Sequence, residues 1–161
     1  MDNLIKSIGI RHVGYVVPNR DVAVKRLKEF YGIEDWIYIE YKPLRASCYG
    51  KTFNGYYVRA AAMPASGSCA LEIIEPVSEG MHMDFLRKYT NCINHICHTV
   101  KEYEKYRDHF IDLGCELIFE AEMEDDIKGY RRCAYAYDPV MNTIFEFAEE
   151  PYFRNKISKE C

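Results

Sequence analysis

Ile93-Asn94-His95-Ile96-Cys97-His98-Thr99-Val100 decides the architecture, because the chain carries a near copy of it at Ile10-Arg11-His12-Val13-Gly14-Tyr15-Val16-Val17. Both stretches read apolar, polar, His, apolar, small, ring, any residue, Val, and both run into a charged amphipathic segment. Each copy then ends on a second apolar stretch with a glutamate inside it. The first is Ala70-Leu71-Glu72-Ile73-Ile74-Glu75-Pro76 and the second Thr143-Ile144-Phe145-Glu146-Phe147-Ala148-Glu149. A self-similar chain is built from repeated supersecondary units, so the repeat sets the architecture before any single residue is weighed.

Strand parity sharpens this reading. Successive side chains of a strand point to opposite faces. His12 and Gly14 therefore share one face, as do His95 and Cys97, Ala70 and Glu72, and Glu146 and Ala148. The opposite faces carry Val13, Tyr15 and Val17, Ile96, His98 and Val100, Leu71 and Ile73, Phe145 and Phe147. These are the bulky residues that a covering helix needs, and His98 falls among them as a structural residue. A glutamate inside an apolar strand is costly unless it is paired or bound to a cation. Two such Glu and two such His on one face point to a single site with N₂O₂ ligands. Imidazoles and carboxylates suit Zn, Ni, Co, Mn or Fe as divalent ions, and four protein ligands leave room for water or substrate. Cys97 shares the ligand face but is not needed to complete the set.

The rest of the chain fits two copies of a β-α-β-β-β unit, here module 10–77 and module 93–150. In the first, residues 10–17 form a strand, Asp21 is the expected helix N-cap, and Val24, Leu27 and Phe30 recur at helical spacing up to Gly32. Strands follow at 36–41, 56–63 and 69–75, with a loop near 48–51 and a turn at Asn54-Gly55. In the second, a strand at 93–100 leads to a helix over about 102–113 closed by Gly114. Strands at 115–121, 131–137 and 143–149 follow, with a charged loop at 122–126 and a turn at Asp138-Pro139. The connector 78–92 contains Met81 to Tyr89, which has one apolar side and room for two helical turns. Its His82, like His109, is expected at the surface. The tail 151–161 is polar.

Composition narrows the function. Lys plus Arg number 21 against 25 Asp plus Glu, for a net charge of −4, so there is no basic footprint for nucleic acid. No apolar run approaches the roughly 20 residues of a membrane span, and the first residues are too polar for a secretory signal. The seven cysteines are scattered and form no CxxC pair, which fits reduced thiols in a cytoplasmic protein.

The four motifs around His12, Glu72, His95 and Glu146 resemble those of the vicinal oxygen chelate superfamily, which includes glyoxalase I, methylmalonyl-CoA epimerase, extradiol dioxygenases and the fosfomycin and bleomycin resistance proteins. The resemblance covers about residues 10–150. It implies an α+β fold in which two βαβββ modules form a cupped mixed sheet with helices on the outside. It also implies a divalent metal ion on His12, Glu72, His95 and Glu146. The His, Glu, His, Glu order is similar to bacterial-type glyoxalase I. Asn94-His95-Ile96-Cys97 and Leu71-Glu72-Ile73-Ile74-Glu75-Pro76 look more like the epimerase, although that enzyme commonly has Gln where Glu72 stands. The activity implied is a lyase, isomerase or epimerase that takes a proton from carbon next to a carbonyl through a metal-stabilised enolate or enediolate. Glu146 then moves the proton with Glu72 as its partner. Arg59, Tyr57 and Tyr135 are candidate substrate contacts, for a small carbonyl or thioester compound. Many members are homodimers, and the same is expected here. Two rivals are a non-catalytic, resistance-type binding protein and an Fe-dependent dioxygenase. The full ligand set speaks against the first and Glu72 against the second, since a fourth protein ligand fills a position that oxygen chemistry needs open.

Overall fold

A computed structural model describes residues 9–63, 69–90, 92–125 and 129–152. The first eight residues, residue 126 of the expected charged loop and most of the polar tail (153–161) lie outside the described residues. The elements run β1 (Ile10–Val16), α1 (Arg20–Tyr31), β2 (Ile37–Tyr41), β3 (Arg45–Cys48), β4 (Lys51–Thr52), β5 (Val58–Ala62) and β6 (Ala70–Pro76). Then come α2 (Met81–Tyr89), β7 (Cys92–Val100), α3 (Tyr103–Asp112), β8 (Glu116–Asp125), β9 (Gly129–Asp138) and β10 (Thr143–Glu149). The strands form one mixed sheet in the order β2-β5-β6-β1-β7-β10-β9-β8-β3-β4.

The repeat is visible in the pairing. β1 runs parallel to β6, β7 runs parallel to β10, and the two repeated strands β1 and β7 meet antiparallel at the centre. The two histidine strands are therefore neighbours, each flanked by its own glutamate strand. What the repeat does not predict is the hairpin β3–β4, expected as loop. It leaves its own module and pairs β3 with β8 of the other. Only residues 42–44 separate β2, on one edge of the sheet, from β3 near the other edge. Four steps of extended chain span at most about 14 Å, so the two edges approach closely and the sheet curls into a cup.

Two helices cover the outside. α1 is capped by Asn19, not Asp21: the Asn19 side chain accepts the Val22 N–H (3.0 Å), and Asp21, within the first turn, instead accepts from Arg20 and Arg59. Gly32 closes the helix as expected, its N–H donating to Lys28 O. Val24 packs with Val17, Trp36, Ala61 and Ile73, while α3 lays Tyr103, Tyr106 and Phe110 on Val100, Ala134 and Phe147. Of the residues assigned by parity to the helix-facing side, Tyr15, Val17, Leu71, Ile73, Val100 and Phe147 fall in these two clusters, while Ile96 lines the groove under the third helix, α2. The expected loop at 122–126 is strand up to Asp125, because its acidic residues find partners across the ladder, Glu122 opposite Arg132 and Glu124 opposite Tyr130.

The third helix, the connector read as a packed segment or a flap over a pocket, packs inward and lines a groove. α2 does not lie outside the sheet; Met81 is buried in the cup cluster and His82 beside it is buried too. No described helix is long and apolar enough to cross a membrane. The described cysteines are all free thiols.

Candidate metal centre

The four residues singled out by parity meet at the bottom of the cup. One ligand atom from each of His12, Glu72, His95 and Glu146 lies within 4.8 Å of all the others. Glu146 Oε2 stands 3.0 Å from His12 Nε2 and 3.1 Å from His95 Nε2. Glu72 Oε2 stands 3.2 Å from His12 Nε2, and the two imidazole nitrogens face each other at 3.1 Å.

Two features of the sheet bring this about. The first is close packing between β1 and β7, where Gly14 lies opposite His95. A Cβ on Gly14 would fall 2.1 Å from His95 Cε1, so the imidazole occupies the space that any side chain at position 14 would need. The second is a pair of bulges. Arg11 is the extra residue on β1 and Asn94 the extra residue on β7, where the partner of β1 jumps from His95 to Ile93. Such bulges re-aim side chains beside functional sites. Here the bulge lets Asn94 and His95, adjacent in sequence, both turn inward and be buried. Asn94 Oδ1 accepts a hydrogen bond from His95 Nδ1 (2.8 Å), which leaves Nε2 as the nitrogen facing the cluster.

The donor set fits a divalent cation. Atoms bound at 2.0–2.2 Å to one ion stand about 3.0–3.5 Å apart; the contacts of His12 with His95, Glu72 and Glu146 and that of His95 with Glu146 fall at 3.0–3.2 Å, and all four ligand atoms lie within 4.8 Å of one another. Two neutral imidazoles and two carboxylates also place negative charge in a nearly closed space, which is unfavourable without a cation. The four side chains also interact electrostatically with one another. Burial opposes charge on His12, but Glu72 and Glu146 outweigh it and raise its pKa. Burial also opposes charge on Glu146, yet its contacts with His12 and His95 hold the carboxyl well below the usual range. Cys97 sits opposite Glu146 in the ladder, and burial and that carboxylate push its thiol far up.

The other candidates divide. Tyr135 is in the cup, its ring edge-on to His95 with centroids 4.9 Å apart. Arg59 and Tyr57 are not. Arg59 stands between Glu40 on β2 and Glu75 on β6 in the sheet register and bridges Glu75 (3.0 Å) and Asp21 (2.8 Å) on the helix side. Tyr57 donates to Glu40 on the same side. Tyr56, just before β5, and Val58 and Ala60 on it belong to the cup cluster instead. Opposite charges at 40, 59 and 75 on adjacent strands are the signal that places Arg59 outside.

The structure adds residues that sequence reasoning missed. Tyr41 reaches across the cup to Cys133 Sγ (3.0 Å). His82, expected at the surface, is 3% exposed and hydrogen-bonded to Tyr56. His109 on α3 is only half-buried. A groove of about 640 Å³ between α2 and the second module runs from Lys88 and Tyr89 past Met81 and Phe85 to Asn94 and His95.

Residues 11–135 match the Glyoxalase/Bleomycin resistance protein/Dioxygenase superfamily. The chain belongs to that superfamily. Its fold is shared with methylmalonyl-CoA epimerase from Mycobacterium tuberculosis (TM-score 0.64, 18% identity, 94% of this chain and 93% of that one). It is shared with a Streptomyces coelicolor methylmalonyl-CoA epimerase variant in complex with 2-nitronate-propionyl-CoA (TM-score 0.61, 15% identity, 91% and 100%). A hypothetical protein from Bacillus halodurans C-125 has the same fold (TM-score 0.57, 22% identity, 89% and 94%). No curated protein matches the sequence. At these identities the structural likeness establishes the fold, not a particular reaction.

Proposed function

We propose that this protein is a divalent-metal-dependent enzyme that moves a proton on carbon next to a carbonyl, as an epimerase, isomerase or lyase. The observation that carries the proposal is the convergence of His12, Glu72, His95 and Glu146 within 4.8 Å. These four residues would hold the ion, for which the chemistry of the donors suits Zn, Ni, Co, Mn or Fe. When bound, the ion supplies a Lewis acid that stabilises negative charge developing on the substrate's carbonyl oxygen.

The residues of the chain do the rest. Glu146 touches both imidazoles and is nearly closed off, which suits an anchor. Glu72 touches only His12, and with 17% of its side chain exposed it is the most open of the four. The sequence reading puts Glu146 first as the proton carrier; the contacts favour Glu72, with Glu146 as the fixed partner. Glu72 then takes the proton from carbon and returns it. The groove under α2 reaches His95 and offers the substrate a path to the centre, with Met81, Phe85 and Ile144 as apolar lining. A thioester or a thiol adduct of a 2-oxoaldehyde is the substrate class that this chemistry fits, and one solved relative is bound to a propionyl-CoA nitronate.

The test is proton exchange followed by NMR in deuterated water, with branched acyl-CoA thioesters and methylglyoxal–thiol adducts offered to metal-loaded protein. Wild type should exchange the proton beside the carbonyl. Glu72→Gln should retain metal but lose exchange by roughly 10²–10⁴-fold, the scale of general base catalysis. Glu146→Gln should lose metal as well. Near-normal exchange in Glu72→Gln would remove Glu72 from the mechanism, and no exchange with any substrate and any of the five metals would overturn the proposal.

A further inference from the structure

Helix α2 lowers a third imidazole into the cup. The ring of His82 stands edge-on to Tyr135 (centroids 5.3 Å) and to His95 (6.3 Å). It is not one of the four clustered ligands. Its Nδ1 is hydrogen-bonded to the Tyr56 hydroxyl, and its Nε2 is buried without a hydrogen-bond partner.

The Tyr56–His82 pair is built into the chain path. Gly80, immediately before α2, has φ 123°, and a Cβ there would come within 3.0 Å of the Tyr56 ring. Glycine thus lets the helix start directly over the tyrosine. Burial holds the Tyr56 hydroxyl far above its ordinary value and pulls the His82 imidazole down to about 3. With the Tyr56 hydroxyl as the donor to Nδ1, the imidazole proton lies on Nε2. That tautomer leaves a buried N–H without a hydrogen-bond partner on a ring that stands beside His95. Preorganised donors of this kind stabilise negative oxygen most effectively where water is excluded.

We infer that His82 Nε2–H is a substrate-binding donor, which takes a carboxylate or enolate-like oxygen of the molecule held at the neighbouring four-residue centre. Tyr56 is its positioning residue, since it fixes the tautomer and the ring. The inference rests on the metal-centre reading of the preceding subsection. It also gives α2 a reason to sit inside the cup: the helix contributes a binding group that neither repeated module carries.

The probe is oxalate, a planar dianion resembling an enolate, titrated into cobalt(II)-loaded protein and followed by the visible cobalt bands. His82→Phe keeps the ring and removes the donor. It should bind cobalt as wild type does but hold oxalate about tenfold or more weakly, the scale of one hydrogen bond to a charged acceptor. His82→Gln, which restores a donor, should recover part of the loss. Should His82→Phe not fold, Tyr56→Phe carries the same test, because it frees the imidazole to turn. Equal oxalate affinity in wild type and variant overturns the inference, as does a parallel loss of cobalt, which would make His82 a prop of the metal site. Failure of wild type to take oxalate overturns it too. Failure of wild type to bind cobalt at all overturns the metal-centre reading itself, so the two failures are distinguishable.

Discussion

Gly14 and Asn94 set the position of His95 more tightly than any apolar neighbour does. The imidazole fills the volume in front of Gly14, and Asn94 holds its far nitrogen. Gly14→Ala forces the ring or the strand to move, because the added carbon meets ring atoms at 2.1–2.6 Å. The substitution should cost about 1–3 kcal/mol of stability, in the range of core overpacking. It should also weaken metal binding by roughly 10–100-fold, as misoriented ligands do. A urea melt and a cobalt titration measure the two effects. Wild-type metal affinity in Gly14→Ala would show that the ring is not held by this contact. The four ligand candidates themselves were legible from the sequence, because parity acts on one residue at a time and the repeat applies the same test twice. Asn94 was not, because a bulge breaks parity locally and no feature of Ile93-Asn94-His95 announces it. Arg59 misled for a related reason: a lone cation on a strand carries no face until its neighbours Glu40 and Glu75 are known to flank it.

At the scale of elements, the outer helices follow from periodicity while α2 and the β3–β4 hairpin do not. α3 docks by stacking Phe110 on Phe147 (centroids 5.4 Å) and setting Tyr103 beside it (5.6 Å), and Phe147 is 1% exposed. Phe147→Ala should cost about 3–5 kcal/mol, the range for a deleted buried aromatic ring. Because Phe147 points away from the neighbouring Glu146, the variant should still bind metal while folded. Denaturant unfolding and a metal titration check this pair of outcomes, and a loss below 1 kcal/mol would mean that α3 contributes little to the sheet. The apolar face of α2 was readable as amphipathic, but amphipathicity does not say whether the apolar side meets the outside of a sheet or the inside of a cup. The hairpin stayed hidden because its strands are short and its partner, β8, is distant in sequence. Its alternation is too brief to stand out, and long-range pairing supplies the stability that local propensity lacks.

The whole molecule is one sheet shared by two repeats, with the histidine strands adjacent and the hairpin of the first repeat sewn onto the second. That arrangement makes the centre a property of the complete cup: His12 and Glu72 come from one repeat, His95 and Glu146 from the other. The ion should therefore bind with the integrity of the whole fold, and removing one ligand should empty the site. The most direct measurement is elemental analysis of protein purified without chelator, comparing wild type with His12→Ala. The account predicts one divalent ion per chain in wild type and loss of that ion in the variant, with the variant still folded by circular dichroism. Wild-type protein that holds no stoichiometric ion, even after reconstitution with Zn, Ni, Co, Mn and Fe, would contradict it, as would a His12→Ala variant that keeps its metal.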